Sequence, residues 1–115
     1  MARTPETICL LYATFPDSLT ANRTAHALVE AHLAACCNIL PGVQSVFWWN
    51  GAVQESPEAV MLIKTTQAMA EAATQAIIRT HPYENPAIMQ LPVTSGAAEY
   101  LSWIATTVLP GDTAI

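Results

Sequence analysis

Charged side chains are scarce in this chain. Only 11% of its 115 residues are Asp, Glu, Lys or Arg, and 52% are hydrophobic. A soluble domain usually has about 25% charged residues, so a single copy lacks the polar residues to cover its own surface. We therefore expect part of that surface to be buried against other copies of the chain.

Basic residues are the rarest of the charged ones. The four Lys and Arg residues are spread along the chain, and the net charge is −5. Proteins that bind nucleic acid neutralise backbone phosphates with clustered cations. This composition excludes nucleic acid as an expected partner.

Long apolar segments and paired cysteines are also missing. No apolar run reaches the roughly 18 residues of a membrane span, and residues 1–6 lack the apolar region of a signal peptide. Cysteines number three, an odd count that does not fit a disulfide framework. These absences predict a cytoplasmic protein that contacts no membrane.

Catalytic motifs are absent as well. The chain has no glycine-rich phosphate loop, no H-E-x-x-H motif and no nucleophile elbow. Glu55 and Glu58 are three apart in a predicted strand, so their carboxylates would point to opposite faces. We predict that the protein is not an enzyme and requires no cofactor.

The sequence does contain an unusually long predicted β-hairpin. Asn50-Gly51 is typical of a two-residue type I′ turn, and it joins strand-like runs that begin at Cys36 and end at Lys64. At about 3.3 Å per residue the first arm would be roughly 45 Å long. Pro41-Gly42 and Pro57 predict a bulge, a bend or an unpaired edge, because proline donates no ladder hydrogen bond.

The other periodicities complete a β-α-β-β-α-β order with a short C-terminal helix. Strands are predicted at 7–14 and 87–93, and helices at 19–35, 67–80 and 97–108. The first helix would follow an N-cap at Asp17-Ser18, and Thr65 and Thr66 could cap the second. We predict one α+β, ferredoxin-like domain at 7–108, with tails at 1–6 and 109–115.

Both main helices of such a fold lie on one face of the antiparallel sheet. The other face would be bare, and Ile8 or Cys9, Met61 or Leu62, and Met89 would lie on it. Packing this face against other copies would account for both the excess of apolar residues and the overlong hairpin.

Several short motifs resemble one known family in order and spacing. They are Leu33-Ala-Ala-Cys-Cys-Asn-Ile-Leu-Pro-Gly42, Trp48-Trp49-Asn-Gly51, Met61-Leu-Ile-Lys-Thr65, His81-Pro-Tyr-Glu-Asn-Pro86, Leu91-Pro-Val93 and Tyr100-Leu-Ser-Trp103. Together they resemble the CutA family of divalent-cation tolerance proteins from about residue 7 to 108. The resemblance implies a ferredoxin-like homotrimer built like the PII signalling proteins, with clefts between subunits and a role in tolerance of copper and other divalent ions.

The chain departs from the family at the positions of a copper ligand set. That set draws on a cysteine at the end of the first strand and on two histidines before Pro-Tyr, whereas this chain has Ala13 and Thr80-His81. His81 is therefore the remaining candidate ligand, for Cu(II) or another divalent cation bound weakly. Alternatively, His81 forms a hydrogen bond across the end of the helix.

Other residues are candidates for ligand binding or assembly. Lys64, Tyr83, Trp49 and Glu84 could form a cleft that holds a ligand, and Lys64 could instead pair with Glu58, Glu84 or another carboxylate. The aromatic residues Phe47, Trp48, Trp49 and Trp103 are predicted subunit contacts, with a ligand platform as the alternative. Two functions follow: cation tolerance by weak metal binding, or a PII-like signalling module that binds a small anion or another protein between subunits.

Overall fold

The computed structural model describes residues 7–108, so the predicted tails at 1–6 and 109–115 lie outside the described residues. The strands are β1 (Ile8–Phe15), β2 (Cys36–Trp49), β3 (Ala52–Thr66) and β4 (Ile88–Pro92). The helices are α1 (Ser18–Glu30), α2 (Ala70–Thr80) and α3 (Ala98–Thr107), and a short 3₁₀ turn, Gln67–Met69, precedes α2. No helix in this range is long and apolar enough to cross a membrane.

The four strands form one antiparallel sheet in the order β2-β3-β1-β4. Helix α1 joins β1 to β2, and α2 joins β3 to β4. In each case a third strand lies between the two joined strands in the sheet, which gives the split β-α-β arrangement. The predicted α+β, ferredoxin-like fold with a long central hairpin and a C-terminal helix is confirmed.

The main core lies between the sheet and the two longer helices. Alternate residues of the two central strands point toward α1 and α2 because side chains alternate between the faces of a strand. The helices present mostly small residues to the sheet, which lets them approach closely. Members of this core include Cys9, Leu11, Ala13, Phe15, Ala59, Met61, Ile63, Ala21, Ala25, Leu28, Ala73 and Ile77.

The opposite side of the sheet, here called the open face, is covered at one end only. Cys9 and Met61 lie on the helix side of the sheet. The residues on the open face are therefore Ile8 rather than Cys9, Leu62 rather than Met61, and Met89 as predicted. Helix α3 covers Ile8, which is buried together with Ile104, whereas Met89 is 59% exposed. The expectation of a wholly bare face was therefore wrong at the α3 end and correct at the other.

The hairpin has the predicted turn and the predicted bulge. Asn50 and Gly51 have φ values of 56° and 81°, the positive values that a type I′ turn requires. The pairing of β2 with β3 shifts register between Leu40 and Val43, and Gly42 has φ 73°. Pro57 lies just beyond the last pair of β1 with β3, so one edge of β3 has no neighbour there.

The register shift changes which residues of β2 share a face with β3. Before it, even-numbered residues of the two strands pair, such as Asn38 with Leu62. After it, odd-numbered residues of β2 face even-numbered residues of β3, as in Phe47 with Gln54 and Trp49 with Ala52. The bulge thus places Phe47 and Trp49 on the open-face side of the arm.

The ends of the helices agree with the predictions only in part. The Asp17 carboxylate accepts a hydrogen bond from the Thr20 N–H at 2.8 Å, which confirms the N-cap of α1. The capping role of Thr65 and Thr66 was wrong, because both residues belong to β3, Thr66 makes no side-chain cap bond, and the Thr65 hydroxyl donates to the Leu33 carbonyl at 2.7 Å.

Helix α1 ends five residues before the predicted position. His32 adopts φ 60°, its N–H bonds the Val29 carbonyl, and the Leu33 N–H bonds the Leu28 carbonyl. This is a Schellman arrangement, in which glycine is the usual residue at the left-handed position. With histidine there, the sequence carried no stop signal.

Candidate functional site

His81 follows α2 directly, and both of its ring nitrogens form hydrogen bonds. Nε2 lies 2.7 Å from the Thr14 carbonyl oxygen, to which it can only donate. Nδ1 lies 3.1 Å from the Tyr83 nitrogen, whose N–H it accepts. The ring stacks on Phe15 with centroids 4.7 Å apart. His81 therefore has the hydrogen-bonding role that was the alternative to metal binding. In this arrangement neither ring nitrogen has a free lone pair for a metal ion.

Tyr83 connects the same loop to the long hairpin. Its hydroxyl donates to Oε2 of Glu58 on β3 at 2.7 Å. Burial raises the pKa of Tyr83, and the hydrogen bond to Glu58 and the negative charge of Glu58 raise it further, to about 12. The phenol is therefore neutral at physiological pH and remains a donor to the carboxylate.

A cleft lies between this loop and the open-face side of the arm. Its volume is about 790 Å³. Its lining contains aromatic, acidic and neutral polar side chains, and the lining residues include no Lys, Arg or His. The principal ones are Tyr12, Phe47, Trp49, Tyr83, Glu58 and Glu84. Of the predicted cleft residues, Trp49, Tyr83 and Glu84 are brought together here.

Lys64 is not part of that cleft. It lies near the other end of β3, where its ammonium donates to the Tyr100 hydroxyl on α3 at 2.9 Å and sits 5.2 Å from the centre of that ring. The bond to Tyr100 raises the pKa of Lys64. Within one subunit Lys64 is therefore separate from the other predicted cleft residues, Tyr83, Trp49 and Glu84. Lys64 also forms no salt bridge with a described carboxylate of its own subunit, since the ion pair found among residues 7–108 joins His26 to Glu30 at 3.6 Å.

The predicted subunit contacts lie at two ends of the molecule. Phe47, Trp48 and Trp49 are at the tip of the arm and are 38%, 75% and 47% exposed. Trp103 is on α3, against Tyr100 with ring centroids 5.5 Å apart, and is 45% exposed. On the arm, Phe47 and Trp49 share the open-face side while Trp48 points to the opposite side, and Trp103 belongs to a separate surface.

Metal-binding side chains do not cluster in the described part of the chain. Residues 7–108 contain no group of three or more His, Cys, Asp or Glu side chains placed to hold a metal ion. Cys9 is buried, and Cys37 faces the helices while Cys36 points to the other face. Burial, with a smaller effect of Cys36, raises the pKa of Cys37 to about 12.

Glu58 is the site residue whose position the sequence did not predict. The sequence offered it only as a salt-bridge partner of Lys64. It shares the cleft with Phe47 and Trp49 because the bulge between Leu40 and Val43 places those two residues on the face of the arm that carries Glu58. A bulge at Pro41-Gly42 changes which residues of β2 and β3 share a face. Allowing for that change in the sequence would have placed Glu58 with Phe47 and Trp49.

Comparisons with known proteins agree with this architecture. A family model described as "CutA1 divalent ion tolerance protein" matches residues 9–107. The chain is 37% identical over 95 residues to the divalent-cation tolerance protein CutA of Pectobacterium atrosepticum, covering 83% of this chain and 86% of that protein. It is also 37% identical over 95 residues to the chloroplastic CutA 1 of Oryza sativa, covering 83% of this chain but 54% of the plant protein. The chain thus spans about half the length of that relative.

A solved structure supports the same assignment. It is described as the periplasmic divalent cation tolerance protein CutA from Archaeoglobus fulgidus. It matches with a TM-score of 0.86 and 35% sequence identity, over 89% of this chain and 99% of that chain. The resemblance predicted from the motifs is confirmed.

Proposed function

The chain belongs to the CutA1 divalent ion tolerance family, and from this premise we propose that it is a cytoplasmic homotrimer that contributes to tolerance of copper and other divalent cations by binding them weakly. The observation that supports this most directly is the cleft lined by Glu58 and Glu84, with no basic residue in its lining. The protein needs no resident cofactor and catalyses no reaction in this proposal.

The charges of the cleft favour cations over anions. Two carboxylates in a partly enclosed space attract a positive ion and repel a negative one, more strongly than in bulk water because the effective dielectric constant is lower. The rest of the chain adds to this, since its net charge is −5. The rival function is a small anion held between subunits by Lys64, Trp49 and Tyr83; within one subunit Lys64 lies apart from the cleft and bonds Tyr100 instead.

The binding should be weak because the donors are few. Glu58 already accepts a hydrogen bond from Tyr83, and His81 uses both of its ring nitrogens. Tight metal sites need several converging donor atoms. A cation held by one or two carboxylates, with water completing its coordination, would exchange readily.

The uncovered apolar surface supports the proposed assembly as a homotrimer. Trp48, Val46 and Val53 of the arm and Met89 and Leu91 of β4 are all exposed in a single copy. Burying such residues against another subunit is favourable by about 25 cal/mol for each Å² of apolar surface removed from water. The cleft borders the open face, so a neighbouring subunit would lie beside it.

Calorimetric titration with Cu(II) and with Zn(II) tests the proposal. We expect weak, saturable heats for the wild type and a clear loss for Glu58→Gln. Glu55→Gln is the matched control, because Glu55 is an exposed carboxylate on the same strand that does not line the cleft. The proposal fails if the wild type gives no heat or if both Gln variants behave alike.

The same titration of His81→Ala separates the two interpretations of that residue. If His81 only fixes the loop, the metal heats should change little while thermal stability falls. A loss of heat equal to that of Glu58→Gln would instead restore His81 as a ligand.

Localisation needs its own test, because the relatives differ in it. One is described as chloroplastic and another as periplasmic. Fractionation of the native host, with an antibody against the chain, should recover the protein with cytoplasmic markers. Recovery with an exported fraction would contradict the cytoplasmic proposal and leave the cleft chemistry unaffected.

A further inference from the structure

The cleft between the arm and the loop 82–87 is larger than a metal site requires. Its volume of about 790 Å³ falls within the range of roughly 300 to 1,000 Å³ that is typical of small-molecule sites. The residues described, 7–108, provide no set of three side-chain donors that could surround a bare ion. The space therefore suits a molecule of several heavy atoms.

The lining combines flat aromatic rings with carboxylates. Tyr12, Phe47, Trp49 and Tyr83 supply the rings, and Glu58 and Glu84 supply negative charge. Aromatic faces attract cations through their quadrupole, and carboxylates accept strong hydrogen bonds from ammonium groups. We propose that this cleft binds a protonated aliphatic amine, with the ammonium group at Glu58 and the methylene chain against the rings of Phe47 and Trp49.

The backbone brings the rings and the carboxylate to one face. Past the bulge, Val43 pairs with Glu58, Ser45 with Ser56 and Phe47 with Gln54. These pairs share the open-face side of the arm, since cross-strand partners in a sheet point the same way. A chain of methylene groups lying along the arm would pass from the carboxylate to the aromatic rings.

Tyr83 leaves Glu58 with one oxygen for the ligand. The Tyr83 hydroxyl holds Oε2, and Oε1 accepts no hydrogen bond from the described residues. The hydrogen bond from the neutral phenol fixes the orientation of the Glu58 carboxylate without bringing a charge beside it. A fixed, charged acceptor favours a primary ammonium, which donates N–H bonds, over a quaternary ammonium, which has none to donate.

This inference uses the same cleft as the proposed function but does not need metal binding. A titration in the presence of EDTA removes divalent cations and leaves an amine free to bind. Loss of metal binding and loss of amine binding are thus separate results.

The experiment is calorimetric titration of the assembled wild-type protein with spermidine in low-salt buffer containing EDTA, with tetramethylammonium as the comparison. We expect saturable binding of spermidine and weaker binding of tetramethylammonium. Glu58→Gln should weaken spermidine binding about tenfold or more. Trp49→Leu should weaken it too, and Glu55→Gln should not.

Three results would overturn the proposal. They are the absence of saturable heat with spermidine, equal losses in Glu58→Gln and Glu55→Gln, which would indicate general attraction to an acidic protein, and tighter binding of tetramethylammonium than of spermidine. Circular dichroism of each variant shows whether it folds. If Glu58→Gln does not fold, Trp49→Leu and Glu55→Gln decide the question, provided that sedimentation shows the Trp49 variant to assemble like the wild type, because Trp49 is also a predicted subunit contact.

Discussion

At the scale of single residues, the hydroxyl of Tyr83 makes a contact that can be tested on its own. Burial and the Glu58 carboxylate favour the neutral phenol in the folded protein and raise its pKa to about 12. A raised pKa stabilises the folded state below the unfolded value of about 10. That stabilisation is lost as the pH rises from about 10 toward 12.

Spectrophotometric titration of tyrosinate measures this directly. The wild-type curve minus that of Tyr83→Phe should give one group with a midpoint near 12. In denaturant the same difference should return to about 10, the value of free tyrosine. A midpoint near 10 in the folded protein would show that Tyr83 does not bond Glu58 in solution.

The three cysteines should differ in their reaction with iodoacetamide under native conditions. Cys9 is buried, and burial raises its pKa; burial also raises the pKa of Cys37, to about 12. Cys36 is half-buried on the other face, beside Lys64. Peptide mass spectrometry after brief labelling near pH 8 should find the label on Cys36 alone, and unfolding should expose all three. Equal native labelling of Cys37 would contradict the assigned faces.

The sequence alone predicted the orientation of some side chains but not the hydrogen-bond partners of others. The difference is that those partners are distant along the chain. That Cys36 and Cys37 point to opposite faces follows from strand alternation, a local rule. No local rule predicts the hydrogen-bond partners of His81 and Lys64. Thr14 lies 67 residues from His81, and Tyr100 lies 36 residues from Lys64. A pattern of neighbours cannot predict which distant carbonyl or hydroxyl a side chain meets.

At the scale of elements, the long hairpin was predictable because its turn and bulge have strong local signals. Asn-Gly supplies two residues that tolerate positive φ, and Pro-Gly marks an interruption of the ladder. The consequence of the bulge was harder to predict, since it depends on the register of two paired strands. The 3₁₀ turn before α2 and the histidine that ends α1 had no sequence signal of this kind.

Substitution of Gly42 tests whether its left-handed conformation matters. A Cβ there would meet nothing within 4 Å, so the cost of Gly42→Ala should come from φ 73° alone. We expect a loss of about 1 kcal/mol in the free energy of unfolding, measured by urea denaturation. Gly42→Asn should lose less, because asparagine tolerates this region better. Equal losses for Ala and Asn would mean that the strain is not the cause.

At the scale of the whole molecule, a single copy is elongated and poorly covered. The described chain measures 56 × 31 × 22 Å, and its radius of gyration is 15.1 Å, whereas a compact domain of this length has about 13 Å. Exposed apolar residues concentrate on the arm and on the uncovered part of the open face. The small number of charged residues in the sequence and the exposed apolar surface of the fold thus both favour burial of this surface against other subunits.

Sedimentation equilibrium should find a particle of about three times 12.3 kDa at micromolar concentration. Trp48→Ser should make it dissociate at higher concentrations than the wild type, because a large aromatic residue buried at an interface is a frequent hot spot. Leu19→Ser is the control, since Leu19 is 60% exposed, like Trp48 at 75%, but lies on α1 away from the arm. A wild type that stays at 12.3 kDa, or a Leu19 variant that dissociates as readily as the Trp48 variant, would mean that the arm is not what joins the subunits.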